Sequence, residues 1–178
     1  MRLLFLIVFI GLNAFSQKIN LGDTRGYQNS SLDTLKQELN VYMEDRVLTI
    51  KLNNFEKSIT PLHYQEGLSP GNGYLNLTPL RVLDTIYFVS SAGGMVYTIK
   101  NDTVKRIDKS FNHGMQYGTN VFEHDHTAFK YGGYGFWSNR DFFTYYDKKQ
   151  DEWEVYDPIN LDIAPTGRAF YFSVKTKN

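Results

Sequence analysis

The hydrophobic and polar positions of the chain alternate in short runs, most clearly in the stretch 129–156. Three runs rich in aromatic residues occur there, at Phe129–Tyr131, Phe142–Asp147 and Glu152–Tyr156. A loop rich in glycine and aromatic residues follows the first run, and the polar run 148–151 follows the second. Short runs of this kind between turn residues predict antiparallel strands. The stretch therefore predicts a meander of short strands.

The same pattern predicts strands in the rest of the chain, so the expected fold class is all-β. These strands are Val41–Met43, Val47–Leu52, Leu80–Leu83, Ile86–Ser91, Met95–Lys100, Thr103–Asp108, Thr119–Phe122, Thr127–Tyr131 and Ala169–Val174. Asn101 and Asp102 between two of them predict a two-residue hairpin turn, because both residue types tolerate positive φ.

Three segments lack a clean alternation and are assigned differently. The polar stretch 17–31 predicts an irregular leading segment. Leu32–Leu39 carries apolar residues at helical spacing, which favours one or two helical turns, with a strand as the alternative. Asn53–Gly73 predicts a long connection, because it ends in the turn-forming sequence Pro-Gly-Asn-Gly.

The N-terminus has the pattern of a secretory signal peptide, residues 1–16. Arg2 provides a positive charge, Leu3–Leu12 is apolar, and Ala14 and Ser16 place small residues at the cleavage positions. The apolar run is too short for a comfortable membrane span. The expected location of residues 17–178 is therefore secreted, periplasmic or in the cell envelope, with no membrane span.

The amino-acid composition argues against several classes of function. Basic and acidic residues are equal in number, at 19 each, so no basic excess indicates nucleic-acid binding. Cysteine is absent, which removes disulfides, thiolate metal sites and cysteine nucleophiles. Serine, histidine and acidic residues show no catalytic spacing, so the chain is expected to be non-catalytic and to use no cofactor.

Two double glycines indicate an internal repeat. Gly93-Gly94 and Gly132-Gly133 each end a predicted strand that follows an Asp-containing turn, and each precedes a predicted hairpin. Four short strands in a repeat of about 40 residues are typical of a propeller blade. The glycines are expected to let the backbone approach a neighbour that a Cβ would exclude. A weaker third copy is predicted upstream, where the hairpin 41–50 resembles the hairpin 96–107.

The last full copy resembles the kelch repeat. The matching residues are Gly132-Gly133, Tyr146-Asp147, Trp153 seven residues after the tyrosine, and Pro165 with Gly167-Arg168 opening the next unit. The earlier copy keeps Gly93-Gly94 but has Val104 where the tryptophan would stand. Tyr146 and Trp153 are expected on adjacent strands, with their rings packed between neighbouring sheets.

The resemblance implies four-stranded antiparallel blades of a kelch-like β-propeller. The best-defined blades are predicted at about 80–118 and 119–157, with a further blade starting at about 164. The length corresponds to about three to four blades, so we expect an incomplete propeller or a piece of one, able to self-associate through open sheet edges. Copper-radical sugar oxidases share this kind of propeller, but their cofactor needs a cysteine that this chain lacks.

The loop between the second and third strands of the last copy is the main candidate site. It is an insertion relative to the earlier copy, and its candidate ligand-binding residues are Tyr134, Phe136, Trp137, Asn139 and Arg140. Loops inserted on one face of a repeat commonly bind ligands, and aromatic rings with Asn and Arg suit a sugar or a protein surface. The competing interpretation, slightly favoured by the pattern, is that Phe136 and Trp137 fold back to seal the blade.

The histidines form the other candidate cluster. His124 and His126 flank Asp125, with His113 nearby, and two imidazoles of one strand could share a metal ion. Their position between two predicted strands favours a solvent-facing polar turn, so no metal site is predicted. The expected function is an exported protein-interaction module. The alternatives are a carbohydrate-binding or carbohydrate-active propeller and the sensor part of a longer envelope signalling protein.

Overall fold

The computed structural model describes residues 21–111 and 116–156, and the architecture of this part is all-β, as predicted. Three sheets of four or five strands follow one another along the chain, and a separate two-stranded hairpin lies within the last of them in sequence. Sheet 1 consists of β1 (Tyr27–Asp33), β2 (Glu38–Met43), β3 (Arg46–Lys51) and β4 (Lys57–Pro61). Each strand pairs antiparallel with the next, so the sheet is a meander.

Sheets 2 and 3 repeat this meander with small additions. Sheet 2 consists of β6 (Thr78–Val82), β7 (Thr85–Val89), β8 (Val96–Lys100) and β9 (Thr103–Arg106), and the short β5 (His63–Tyr64) pairs parallel with β9. A single turn of 3-10 helix, Tyr74–Asn76, precedes β6. Sheet 3 consists of β10 (Asn120–His124), β11 (Thr127–Tyr131), β14 (Phe143–Asp147) and β15 (Glu152–Tyr156). The hairpin of β12 (Tyr134–Gly135) and β13 (Ser138–Asn139) lies between β11 and β14.

The sheets lie side by side in chain order, and their first strands are neighbours. Strand β6 contacts β1 of sheet 1 and β10 of sheet 3. Sheet 2 is therefore covered on both faces, and its strands contribute side chains to two hydrophobic cores. In β7, Phe88 packs with Tyr42 in the core shared with sheet 1, whereas Tyr87 and Val89 belong to the core shared with sheet 3. This division follows from the two-residue period of a strand.

Equivalent hydrogen bonds join each connection to the following sheet. After sheet 1, the backbone N–H of His63 donates to the carbonyl of Asp102 in the β8–β9 turn, at 2.8 Å. After sheet 2, the N–H of Lys109 donates to the carbonyl of Asp151 in the β14–β15 turn, at 2.7 Å. Both acceptor residues have positive φ, of 57° and 59°. The connections after sheets 1 and 2 are therefore hydrogen-bonded to the same turn of the sheet that follows.

The predicted strands of sheets 2 and 3 and the β2–β3 hairpin agree with the structure within a few residues. The two-residue turn is also confirmed, because Asn101 and Asp102 have φ values of 50° and 57°. The correspondence predicted for the upstream copy is wrong by one strand. The hairpin 41–50 is the second and third strand of sheet 1, whereas 96–107 spans the third and fourth strands of sheet 2. The fourth strand of sheet 1 is polar, so its sequence shows too little hydrophobic alternation to reveal this offset.

The three segments without clean alternation contain strands that their main assignments did not include. The leading segment becomes β1 from Tyr27 onward, and the helical prediction for 32–39 fails because β1 ends at Asp33 and β2 begins at Glu38. The Asp33 carboxylate accepts the N–H groups of Leu35 and Lys36, which closes a turn there instead of a helix. The long connection contains β4, a polar strand at the edge of its sheet. A polar strand of this kind shows little hydrophobic alternation.

The signal peptide, the strand 169–174 and the motif residues Pro165, Gly167 and Arg168 lie outside the described residues.

Candidate functional site

The aromatic pair of the repeat motif lies at the boundary of sheets 2 and 3, which we call the seam. Tyr146 on β14 is paired directly with Trp153 on β15, and their ring centroids are 5.6 Å apart. The Trp153 indole Nε1–H donates to the Gly94 carbonyl at 2.8 Å. The Tyr146 hydroxyl donates to the Ile107 carbonyl at 3.0 Å. Both side chains therefore belong to sheet 3. They donate hydrogen bonds to backbone carbonyls of sheet 2 and of the connection that follows it.

Burial at the seam raises the pKa of Tyr146 above its ordinary value, since a phenolate would have to lose its hydration there. The nearby carboxylates of Asp151 and Asp108 act in the same direction. The hydroxyl therefore stays protonated and keeps its hydrogen bond to Ile107 at physiological pH.

Neighbouring atoms leave no room for a side chain at the second glycine of each pair. A Cβ built on Gly94 would lie 2.3 Å from Cβ of Ser110, well inside contact distance. A Cβ on Gly133 would lie 2.9 Å from Cγ2 of Thr119, and φ at this glycine is +91°. Gly93 and Gly132 also have positive φ. The expectation that a Cβ would be excluded agrees with the geometry of Gly94 and Gly133.

Asp147, the remaining described motif residue, closes the β14–β15 turn. Its carboxylate accepts the N–H of Lys149 at 2.8 Å and a side-chain N–H of Gln150 at 3.2 Å. The N–H of Lys149 is the main reason that the pKa of Asp147 lies below its usual range. Asp147 therefore has a local structural role in the turn.

A lysine is also buried at the seam, and the sequence interpretation missed it. Lys130 on β11 is 1% exposed, and its Nζ donates to the Gly93 carbonyl at 2.5 Å. The Nζ also lies 3.9 Å from the centroid of the Trp153 ring, which is a cation–π distance. Strand alternation could have found this residue, because Lys130 lies on the same face of β11 as buried Ala128.

The inserted loop forms a hairpin with two aromatic residues at its tip. Phe136 and Trp137 are the two residues between β12 and β13, with φ values of 49° and 68°. Two-residue turns with positive φ at both positions favour Asn, Asp and Gly, and bulky residues adopt this conformation at a cost. Phe136 is 67% exposed and Trp137 is 93% exposed. The interpretation that these rings fold back to seal the blade is therefore wrong.

The other candidate residues surround the base of this hairpin. Tyr134 is paired with Asn139 across the two strands, and both side chains are exposed. The backbones of Tyr134 and Tyr117 exchange two hydrogen bonds. The Arg140 guanidinium carbon lies 5.5 Å from the centroid of the Phe136 ring, and its backbone N–H donates to the Gly133 carbonyl. The fold brings all five predicted residues into this one hairpin and its flank.

The histidine cluster forms the turn that its pattern favours. His126 has a φ of 59° in the β10–β11 turn, and its backbone N–H donates to the Glu123 carboxylate. His124 lies at the end of β10, and its ring makes a T-shaped contact with Phe129 at 6.1 Å between centroids. The two imidazoles do not share a strand face, and His113 lies outside the described residues. Within the described ranges, no three His, Asp or Glu side chains are placed to hold a metal ion.

The comparisons with known proteins leave the chain without an assigned family. No protein-family model matches it, and no curated protein matches it in sequence. Within 21–111 and 116–156, no helix has the length and apolar character needed to cross a membrane.

Proposed function

We propose that this chain is an exported, non-catalytic unit of a kelch-like propeller that binds a protein partner through the β12–β13 hairpin. Three meander sheets with neighbouring first strands support the repeat architecture. The equivalent bonds His63 to Asp102 and Lys109 to Asp151 support it independently, because they repeat the same connection. The pair Gly93-Gly94 and Trp153 meet at the boundary between two such units.

The exposed aromatic tip is the observation that carries the binding proposal. Holding Phe136 and Trp137 at positive φ costs about 1–3 kcal/mol for each residue. Packing does not offset this backbone strain at Trp137, because its side chain is almost fully exposed. Strain stored at an exposed site is typical of functional positions. A projecting tryptophan suits insertion into an apolar pocket of another protein, where such residues dominate the binding energy.

A photo-crosslinking experiment tests this proposal. Ser138, exposed and next to the tip, is replaced by a photoreactive benzoylphenylalanine in the full chain. Crosslinked proteins from envelope extract are quantified by mass spectrometry. We expect one specific partner to be lost when Phe136→Ala and Trp137→Ala are introduced together. Leu35→Ala is the matched control, because Leu35 is an 84% exposed apolar residue in the β1–β2 turn. Equal crosslinking in the hairpin and control variants would contradict the proposal.

Carbohydrate binding is the second candidate function, favoured by the exposed ring of Trp137 in the same hairpin as the exposed Tyr134 and Asn139. A sugar can stack on an aromatic face while neighbouring polar groups bind its hydroxyls. A glycan array with the wild-type chain and Trp137→Ala separates the two candidates. Glycan binding that is lost in Trp137→Ala favours the carbohydrate function. A protein crosslink without any glycan signal favours the protein partner.

A further inference from the structure

Lys130 is a buried cation at the seam, and its surroundings provide poor compensation for a positive charge. An ammonium group has three N–H donors. The described contacts of Nζ are the Gly93 carbonyl and the Trp153 ring. Among the described residues, no carboxylate lies within ion-pair distance of this amine. Burying a charge without a close partner carries a large desolvation cost.

The carboxylate that acts on the Lys130 amine is already hydrogen-bonded to other groups. Asp108 accepts the Val96 N–H at 2.6 Å and two side-chain N–H groups of Arg106, at 3.1 and 2.9 Å. The Arg106 guanidinium therefore neutralises Asp108 locally. The other titratable or charged groups around the seam include Tyr146 on β14, Tyr87 on β7 with the Lys148 amine over its ring, and Asp151 with Lys109 at the β14–β15 turn.

The protonation equilibrium of Lys130 reflects these surroundings. Burial lowers the pKa of Lys130 to about 7, and the attraction of Asp108 offsets only part of this effect. A neutral amine can still donate to the Gly93 carbonyl. It also leaves no uncompensated charge between the two sheets.

We propose that Lys130 makes the seam between sheets 2 and 3 a proton-controlled joint. The neutral amine fits the closed seam, and proton uptake from solvent at Nζ loosens it. Loosening separates the Lys130 amine and the Trp153 indole from the Gly93-Gly94 carbonyls, and both groups then reach water. This joint is independent of what the β12–β13 hairpin binds.

The direction of the pH effect follows from linkage. In the unfolded chain the amine has its ordinary pKa of about 10.4. Between pH 7 and that value the unfolded chain holds a proton that the folded chain lacks, so stability rises with pH. One proton of difference corresponds to about a tenfold change in the folding equilibrium constant per pH unit. Below the folded pKa this dependence ends, and the penalty for the buried charge is fully present.

The first test compares denaturant unfolding of the full-length wild type, Lys130→Met and Lys149→Met. Methionine has a similar length without the charge, and Lys149 is an exposed lysine of the same sheet. Between pH 7.5 and 9.5, we expect the folding constant of the wild type to rise roughly a hundredfold relative to Lys130→Met. Lys149→Met should follow the wild type. Identical pH dependence in wild type and Lys130→Met would overturn the proposal.

The second test measures the opening of the seam directly in the folded protein. In a Trp137→Phe background, Trp153 is the remaining tryptophan. We expect acrylamide to quench its fluorescence more strongly as the pH falls, with a midpoint near 7. The added Lys130→Met substitution should abolish this change. Quenching that is independent of pH in the Trp137→Phe protein would show that protonation does not open the seam.

Discussion

The indole Nε1–H of Trp153 donates a 2.8 Å hydrogen bond to the carbonyl of Gly94, across the boundary between sheets 3 and 2. The glycine that accepts this bond has no room for a Cβ, because Ser110 occupies that space. The two motif residues are therefore parts of one contact, although they are far apart in sequence.

Removing the Trp153 ring should weaken the seam. Trp153 packs against the core formed by Val82, Tyr87, Val89 and their neighbours. Trp153→Ala should reduce the free energy of unfolding by about 3–5 kcal/mol, the range for a large aromatic residue removed from a core. Trp153→Phe retains most of the ring and should show the smaller loss of the hydrogen bond, about 1 kcal/mol. Denaturant unfolding measures both. A loss below about 1 kcal/mol for the alanine variant would contradict a core role for this ring.

Adding one carbon at Gly94 should be destabilising for a steric reason. In Gly94→Ala the new Cβ meets Ser110, so one segment must shift, at a cost of about 1–3 kcal/mol. Ser110→Gly in the same chain removes the clashing atoms and should restore much of the loss. The measurement is thermal or denaturant unfolding of both variants beside Ser110→Gly alone. Equal stability of Gly94→Ala with and without the second substitution would refute the clash as the cause.

The ion pair of Asp33 and Arg81 should couple sheets 1 and 2. The Asp33 side chain is 2% exposed and the Arg81 side chain is 26% exposed. Removing either partner alone with alanine should cost about 3–5 kcal/mol, because the other charge loses its partner in a buried site. Asp33→Ala also removes the acceptor that closes the β1–β2 turn. A double-mutant cycle should give a coupling energy of about 0.5–3 kcal/mol, and additive losses would show no coupling.

Replacing the strained hairpin tip should stabilise the protein. Phe136→Asn together with Trp137→Gly gives the turn sequence that positive φ at both positions favours. We expect a gain of at least about 1 kcal/mol in the free energy of unfolding, together with loss of partner binding. Asn101→Asp in the β8–β9 turn is the control, because this turn already has suitable residues and should show little change. Lower stability of the Asn-Gly variant would mean that the exposed rings pack against something in the folded protein.

The sequence by itself determined the strand content and most strand positions in sheets 2 and 3. The reason is local: apolar residues alternate with polar ones where a strand has one buried face, and Asn101-Asp102 specifies its turn without help from distant residues. The glycine pairs and the inserted loop were also visible, since both are features of composition. The polar strand β4 could not be recognised in the sequence, because a polar strand at the edge of a sheet shows little hydrophobic alternation.

Only the tertiary structure decided which residues meet across the sheets. Lys130 looks like a surface lysine in sequence, yet it is buried because β11 turns that face toward sheet 2. Trp137 looks like a core residue, yet it is exposed at the tip of the β12–β13 hairpin. Burial depends on what packs against a position from distant parts of the chain. A local pattern does not contain that information.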